Sequence, residues 1–170
     1  MKRTTIFFAL IMFVMNCTIV PAQVKAEKEK ADISKVLDDF NVAAAKADFN
    51  TYFSYFADES SFIGTDATEI WGKKAFMGWA KPYFDKKSTW NFISLKRNIQ
   101  FSKDGNLAWF DELLDTQMKI CRGSGVVEKI NGQWKIRQYV LSMTVPNEVV
   151  DKVVAYKTPI EEELIQKLKH

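Results

Sequence analysis

Hydrophobic residues recur at two different spacings along this chain, and the change between them divides it into a helical first half and a β-rich second half. From Glu27 to about Ala47, apolar residues fall every three or four positions with charges between them, which predicts an amphipathic helix. A second short helix is expected after Asp48, a good N-cap residue, and a third from about Lys73 to Asp85. Between these two helices, "DESSFIGTDATEIWG" predicts a short strand, a turn and another short strand ending at Gly72.

From about Trp90 to Met143 the period changes to alternation, rich in β-branched and aromatic residues. Asp104-Gly105 and Asn131-Gly132 are strong hairpin signals, and a two-residue connection is expected at Gln117-Met118, so the pattern predicts four long antiparallel strands. Pro146 then starts a helix, and "TPIE" from Thr158 predicts a capping box that opens a last helix. The predicted fold class is α+β, with a curved antiparallel sheet packed on N-terminal helices.

Two-residue turns fix the register of the strands that they connect. The first hairpin turn sets Phe101 opposite Ala108, Ile99 opposite Phe110, and Arg97 opposite Glu112. The second sets Val127 opposite Ile136, Gly125 opposite Gln138, Gly123 opposite Val140 and Cys121 opposite Ser142, with Glu128 facing Lys135 on the other side. The connection between the hairpins brings Glu112 beside Gly123.

This register places Arg97, Glu112 and Gln138 near the middle of an otherwise apolar inner face, next to two glycines that leave space. Because a buried charge is costly unless it is paired, such groups usually serve a ligand or one another. The face is therefore predicted to be the floor of a pocket. The alternative is a structural ion pair that joins adjacent strands. A shift of one residue in the first turn would direct Trp109 and Asp111 inward instead.

The N-terminus has the pattern of a secretory signal. Lys2 and Arg3 precede an apolar run from Ile6 to about Val20, too short for a comfortable membrane span, and cleavage is expected near Ala22. Lipoprotein processing at Cys17 is the rival interpretation. We expect a secreted or periplasmic protein with no membrane association after cleavage, made of a signal (residues 1–22), one domain (23–157) and a C-terminal helical tail (158–170).

Composition excludes several kinds of chemistry. Without Lys2 and Arg3 the 24 basic residues fall to 22 against 21 acidic ones, so nothing favours binding to nucleic acid. Removal of the signal leaves Cys121 with no intramolecular partner. The single histidine is His170, which argues against histidine triads and zinc clusters. No metal or cofactor is expected.

Several segments resemble a known family. "FIGTDATEIWGKKAF", "LAWFDELL", "CRGSGVVEKINGQWKIRQYVLS" and "TVPNE" are similar to the SnoaL-like domain family, which is found in secreted bacterial proteins, over about residues 30–150. The order of elements resembles the nuclear transport factor 2-like superfamily, which includes this family. The resemblance implies a cone, in which a curved sheet wraps around a helix. This fold hosts isomerases, cyclases and dehydratases as well as plain ligand or subunit binders.

The resemblance also implies where a ligand would lie. Relatives such as ketosteroid isomerase and polyketide cyclases use an aspartate base inside the cone with an acidic or tyrosine partner. Asp66 and Glu69 are expected at the cone mouth, within reach of Tyr52, and Trp71 and Trp79 are candidate ligand contacts. Alternatively, Asp66 only closes an Asx-turn and the tryptophans only fill the core.

Three functions remain open. The first is binding of a small, partly apolar molecule in the cone, with Arg97 as electrostatic partner and Gln138 as hydrogen-bonding orienter. The second is cofactor-independent isomerase, cyclase or dehydratase chemistry with Glu112 or Asp66 as the base, although a tight pair with Arg97 would lower the pKa of Glu112 and favour binding over catalysis. The third is a homodimer through the outer sheet face, which is predicted to present Trp109, Leu113, Val126, Tyr139 and Leu141.

Overall fold

The computed structural model describes residues 19–169, so most of the predicted signal, residues 1–18, lies outside the described part. The helices are α1 (Ile19–Ala45), α2 (Phe49–Ser54), α3 (Lys73–Asp85) and α4 (Val150–Leu168), and a 3₁₀ turn at Asn147–Val149 precedes α4. The strands are β1 (Phe56–Ile63), β2 (Ile70–Gly72), β3 (Ile93–Phe101), β4 (Leu107–Thr116), β5 (Lys119–Ile130) and β6 (Gln133–Met143). The α+β class, the short strand pair and the four long antiparallel strands are confirmed.

The six strands form one sheet in the order β2-β1-β6-β5-β4-β3. All neighbours are antiparallel except β1 and β6, which run parallel. Helix α1 lies on the concave face because its apolar stripe, including Ile33, Leu37 and Ala44, is fully buried against the sheet. Asp48 caps α2 as predicted, since its Oδ1 accepts a 3.1 Å hydrogen bond from the Thr51 amide.

The register predicted for the first hairpin is confirmed, including the pairs Arg97–Glu112 and Glu112–Gly123. Gly105 has φ +73°, a conformation that favours glycine, and the strands close at the hydrogen bond from the Ser102 amide to the Leu107 carbonyl, 2.9 Å. This pairing keeps Trp109 on the outer face.

The second hairpin keeps the predicted register only near its turn. Val127 pairs with Ile136, but a bulge follows and Val126 pairs with Gln138, so every later pair moves by one residue. The predicted pairs Gly125–Gln138, Gly123–Val140 and Cys121–Ser142 are therefore wrong, and the observed pairs are Gly125–Tyr139, Gly123–Leu141 and Cys121–Met143. Because side chains alternate between faces, Tyr139 and Leu141 point inward and are buried, whereas Gln138 lies on the opposite face.

The C-terminal segment is one helix instead of the predicted two. Thr158 does not begin a capping box, because its hydroxyl donates a 2.8 Å hydrogen bond to the Val154 carbonyl inside α4, and Pro159 also lies within that helix. No side chain of α4 is buried. Within residues 19–169, no helix is long and apolar enough to cross a membrane.

Candidate functional site

Arg97 and Glu112 form a buried ion pair between β3 and β4. The Arg97 guanidinium donates from Nε and Nη2 to Oε2 of Glu112, at 2.9 and 2.7 Å. The Glu112 side chain is fully buried and that of Arg97 is 9% exposed. An ion pair in such surroundings offsets its desolvation only when the remaining hydrogen-bonding positions are also satisfied.

Three further groups occupy most of those positions. Oε1 of Glu112 accepts a 2.8 Å hydrogen bond from the Tyr139 hydroxyl. Arg97 Nη1 donates to the Ser34 carbonyl at 3.0 Å and Nη2 to Oδ1 of Asp38 at 2.8 Å, both on α1. We call these residues (Arg97, Glu112, Tyr139, Asp38 and the Ser34 carbonyl) the ion cluster. It joins three strands of the sheet to α1.

Two members of the ion cluster, Arg97 and Tyr139, have raised pKa values. Burial alone would lower the pKa of Arg97, but the charges of Glu112 and Asp38 outweigh it and raise that pKa above its usual range. Burial, reinforced by the charge of Glu112, raises the pKa of Tyr139 well above its usual value. At neutral pH the Arg97 side chain is therefore a charged guanidinium and the Tyr139 side chain a neutral phenol.

The two glycines of the inner face do not form a pocket floor. A Cβ added at Gly123 would lie 2.3 Å from the Tyr139 hydroxyl, and one at Gly125 would lie 3.0 Å from the Phe110 ring and 2.1 Å from the Gln138 carbonyl oxygen. The space that the glycines leave is thus filled by side chains and by the bulge of β6. The predicted inner-face position of Gln138 is wrong as well, because of that bulge.

An open cleft of about 150 Å³ lies elsewhere, between the β1–β2 pair, α3, the segment before β3 and the β4–β5 turn. None of the ion-cluster side chains lines it. Its walls are mainly aromatic, with Met118 and Leu141 adding aliphatic surface and Gln117, Thr65 and Glu69 adding polar groups; the rings are those of Phe62, Trp71, Phe76, Trp79, Trp90 and Phe92. We call this feature the aromatic cleft.

The rings of the aromatic cleft support one another. The centroids of Trp71 and Trp79 are 4.8 Å apart, and those of Trp79 and Trp90 are 6.2 Å apart. Behind them, Phe62 stacks on Phe76 at 4.2 Å. Phe76 is buried, whereas Trp79 is 38% exposed, so the inner wall is shielded from solvent and the outer wall faces it.

Glu69 lies at the rim, folded against Gly64. A Cβ added at Gly64 would lie 2.1 Å from Oε2 of Glu69, so glycine makes this position of the carboxylate accessible. The Gly64 amide donates to the Glu69 carbonyl at 2.8 Å, and the Asp66 amide approaches Oε2 at 3.3 Å. Among the described residues, Glu69 is the one charged group that lines the aromatic cleft.

Two predicted site residues have other environments. Asp66 is exposed and its Oδ1 accepts from the Thr68 amide and hydroxyl, at 2.9 and 2.6 Å; these bonds lower the pKa of Asp66 and describe an Asx-turn. Tyr52 is fully buried, stacked on Phe40 at 4.4 Å and edge-on to Trp90 at 5.7 Å, so it lies behind the cleft. Burial raises the pKa of Tyr52 well above its usual value.

Asp38 and Tyr139 belong to the ion cluster but are not among the site residues predicted from the sequence. Asp38 belongs to a helix that meets β3 only in the tertiary structure, so no local pattern identifies it. The predicted register places Tyr139 on the outer face. The consecutive polar residues Arg137-Gln138, between the buried Ile136 and Tyr139, mark the bulge and could have corrected that assignment.

The described residues hold no group of three or more histidine, cysteine, aspartate or glutamate side chains arranged for a metal ion.

The outer sheet face presents fewer apolar side chains than predicted, because Tyr139 and Leu141 point inward. Trp109 remains 47% exposed, Leu107 40% and Ile120 49%.

Comparison with known proteins agrees with this architecture. The SnoaL-like domain family matches residues 33–146. No curated protein matches the chain. Similar solved structures include a nuclear transport factor 2-like protein of unknown function from Pseudomonas putida, with 15% identity, TM-score 0.59, and coverage of 72% of this chain and 92% of that one.

Two other similar structures are described as candidate enzymes. A dehydratase candidate of the nuclear transport factor 2-like family from Streptomyces avermitilis has 13% identity and TM-score 0.61, with 71% of this chain and 99% of that chain covered. A scytalone dehydratase candidate from Novosphingobium aromaticivorans has 13% identity and TM-score 0.60, with 72% and 89% covered. At such identities the likeness shows the fold, a cone of the nuclear transport factor 2-like type.

Proposed function

Since this chain belongs to the SnoaL-like domain family, whose fold leaves the function to the individual site, we propose that it binds one small, partly apolar molecule in the aromatic cleft. Trp71, Trp79 and Glu69 would contact the ligand, as the sequence suggested. Arg97 and Glu112 would stabilise the fold without contacting the ligand.

The observation that carries this proposal is the separation of the two sites. The ion cluster is closed, with every charged group engaged by protein partners. The aromatic cleft is open, apolar and about 150 Å³ in volume. An apolar cavity of about that volume binds benzene in another protein, so the buried part of the ligand would be about the size of one ring.

A panel of neutral single-ring compounds, read by thermal shift, tests this proposal. We expect a rise in melting temperature for the wild type and its loss in Trp79→Ala. Trp109→Ala is the matched control, because Trp109 is a similarly exposed tryptophan on the outer sheet face. Equal responses of the two variants, or no response in the wild type, would contradict binding in the cleft.

Catalysis is the second candidate, favoured by the carboxylate of Glu69 at the rim and by the candidate dehydratases among the similar structures. In such an enzyme Glu69 would be the base, because Glu112 is sealed in the ion cluster and Asp66 closes its own turn. Exchange of substrate protons next to a carbonyl with deuterated water would then stop in Glu69→Gln. Loss of exchange in Glu112→Gln or Asp66→Asn, with Glu69→Gln active, would restore the bases predicted from sequence.

Self-association is a further proposal. Helix α4 leaves Val154, Ile160 and Leu168 exposed, and the outer sheet face leaves Leu107 and Trp109 exposed. A 19-residue helix spans about 28 Å, which matches the length of the long strands, so α4 of one copy could cover the outer face of another. Light scattering should give twice the monomer mass, and a truncation after Asn147 should be monomeric. A monomeric full chain at micromolar concentration would contradict it.

Export is proposed on the N-terminal pattern alone. Expression of the full chain with a C-terminal tag, followed by cell fractionation and N-terminal sequencing, should recover protein that starts after Ala22 outside the cytoplasm. Uncleaved protein in the cytoplasm would exclude export, and a lipid-modified Cys17 would support the lipoprotein alternative.

A further inference from the structure

The aromatic cleft carries a negative charge and no positive one among its described lining residues. Among its described lining residues, only Glu69 carries a charge, and the remaining polar groups are neutral. Arg97 is the buried cation of the cone, but its guanidinium is engaged by Glu112, Asp38 and the Ser34 carbonyl. An anionic ligand would therefore lose hydration in the cleft without gaining a cation partner.

From this arrangement we propose that the ligand is a small organic cation, a protonated amine or alkylammonium joined to an apolar group of about one ring. The charge would lie beside Glu69 and the apolar part against Trp71 and Trp79. The inference rests on the proposed binding function and specifies the class of molecule that the cleft selects.

The carboxylate of Glu69 is available for such a partner. It makes no ion pair with any lysine or arginine of residues 24–169, and its contact with the Asp66 amide is long, at 3.3 Å. Gly64 allows it to fold toward the cleft, because any larger residue would meet Oε2. A carboxylate with spare acceptor capacity beside apolar walls attracts a cation more strongly than one in bulk water does.

The tryptophans of the aromatic cleft also favour a cationic ligand. Faces of aromatic rings attract cations within about 6 Å, and tryptophan does so most strongly. In the described part of the chain, the lysine–aromatic contacts involve Phe49 and Trp134, and none involves the rings of the cleft. Among the described residues, therefore, no protein cation lies on the rings of Trp71, Trp79 or Trp90.

Three matched probes test the inference by calorimetry at neutral pH: benzylamine as the cation, benzyl alcohol as its neutral counterpart and benzoate as the anion. We expect benzylamine to bind about tenfold more tightly than benzyl alcohol, equivalent to about 1.4 kcal/mol, and benzoate to bind least. In Glu69→Gln the ratio of the affinity for benzylamine to that for benzyl alcohol should fall to about one, while the affinity for benzyl alcohol stays the same. Asp66→Asn, which removes an exposed carboxylate of the same turn, should keep the preference.

Each other result overturns a defined part of the account. Equal affinities of amine and alcohol for the wild type would reject the cation while leaving ligand binding intact. A preference that survives Glu69→Gln, or that Asp66→Asn removes equally, would reject Glu69 as the recognition group. Binding of none of the three probes would overturn both this inference and the proposed function.

Discussion

The hydroxyl of Tyr139 crosses above Gly123 to donate a 2.8 Å hydrogen bond to Oε1 of Glu112. This contact links β6 to β4 across the intervening strand. It exists because a bulge turns Tyr139 inward and because residue 123 has no side chain. Both oxygens of the Glu112 carboxylate thus accept hydrogen bonds from protein groups, and the residue helps to anchor the sheet to α1 through Arg97.

Removing the hydroxyl should destabilise the protein. In Tyr139→Phe the buried Oε1 of Glu112 loses its donor, and an unsatisfied buried acceptor of this kind costs about 1–3 kcal/mol, more when it is charged. Urea unfolding followed by circular dichroism measures the loss. Binding of neutral ring compounds in the cleft should be unaffected, because Tyr139 is not among its lining residues. Unchanged stability would show that the hydrogen bond contributes nothing.

Gly123→Ala should also destabilise the fold, because the new Cβ would lie 2.3 Å from the Tyr139 hydroxyl. Overpacking of this kind costs typically about 1–3 kcal/mol. In the double variant with Tyr139→Phe the clashing oxygen is absent, so the total loss should be smaller than the sum of the two single losses. Additive losses would mean that the two residues do not compete for the same space.

The two acidic partners of Arg97 should differ in importance. Glu112→Gln leaves the buried guanidinium without its main counter-charge and should cost about 3–5 kcal/mol. Asp38→Asn removes a carboxylate that is 57% exposed, so the loss should be at most about 1 kcal/mol. Equal losses, measured by chemical unfolding of both variants, would contradict the assignment of Glu112 as the central partner.

Glu29 should make stability depend on pH. Hydrogen bonds from Lys129, at 2.6 Å, and then from the Trp134 indole, at 2.8 Å, hold the pKa of Glu29 below its ordinary value of 4.5. A carboxyl with a lowered folded-state pKa stabilises the fold fully above its unfolded pKa and loses that contribution as the pH falls through the folded value. Glu29→Gln should therefore lower stability at pH 7 and flatten its decline below pH 4.5. If the free energy of unfolding fell as steeply with decreasing pH in Glu29→Gln as in the wild type, the result would contradict this role of Glu29.

Local patterns were enough to predict most of the architecture. Helical spacing located α1 and α3, and the turns at Asp104-Gly105 and Asn131-Gly132 placed Arg97 opposite Glu112, because turn length fixes register. The predicted pairing of β5 with β6 is wrong from Val126 onward, where the bulge adds one residue to β6 and thereby exchanges the faces of Gln138 and Tyr139. The prediction of two C-terminal helices failed because Pro159 is tolerated within α4.

The candidate site was predicted less well than the fold, because a pocket is defined by what fills the space around it. Two glycines beside a charged pair indicated a cavity, yet Gly123 and Gly125 make room for Tyr139, Phe110 and the bulged backbone. Glu69, Trp71 and Trp79, which the sequence places at the cone mouth, line one cleft, and their contact with a ligand stays a prediction. The sequence does not show that this cleft is separate from the ion cluster, because Arg97 meets Ser34 and Asp38 of α1 only in the tertiary structure.

The most direct test of the account is a titration with benzyl alcohol followed by the indole N–H signals in nuclear magnetic resonance spectra. The chain has five tryptophans; three line the cleft (Trp71, Trp79, Trp90), and Trp109 and Trp134 are internal controls outside it. We expect saturable shifts of the first three signals and stationary signals for the two controls. Shifts confined to Trp109 or Trp134, or no shifts at all, would contradict the assignment of the aromatic cleft as the binding site.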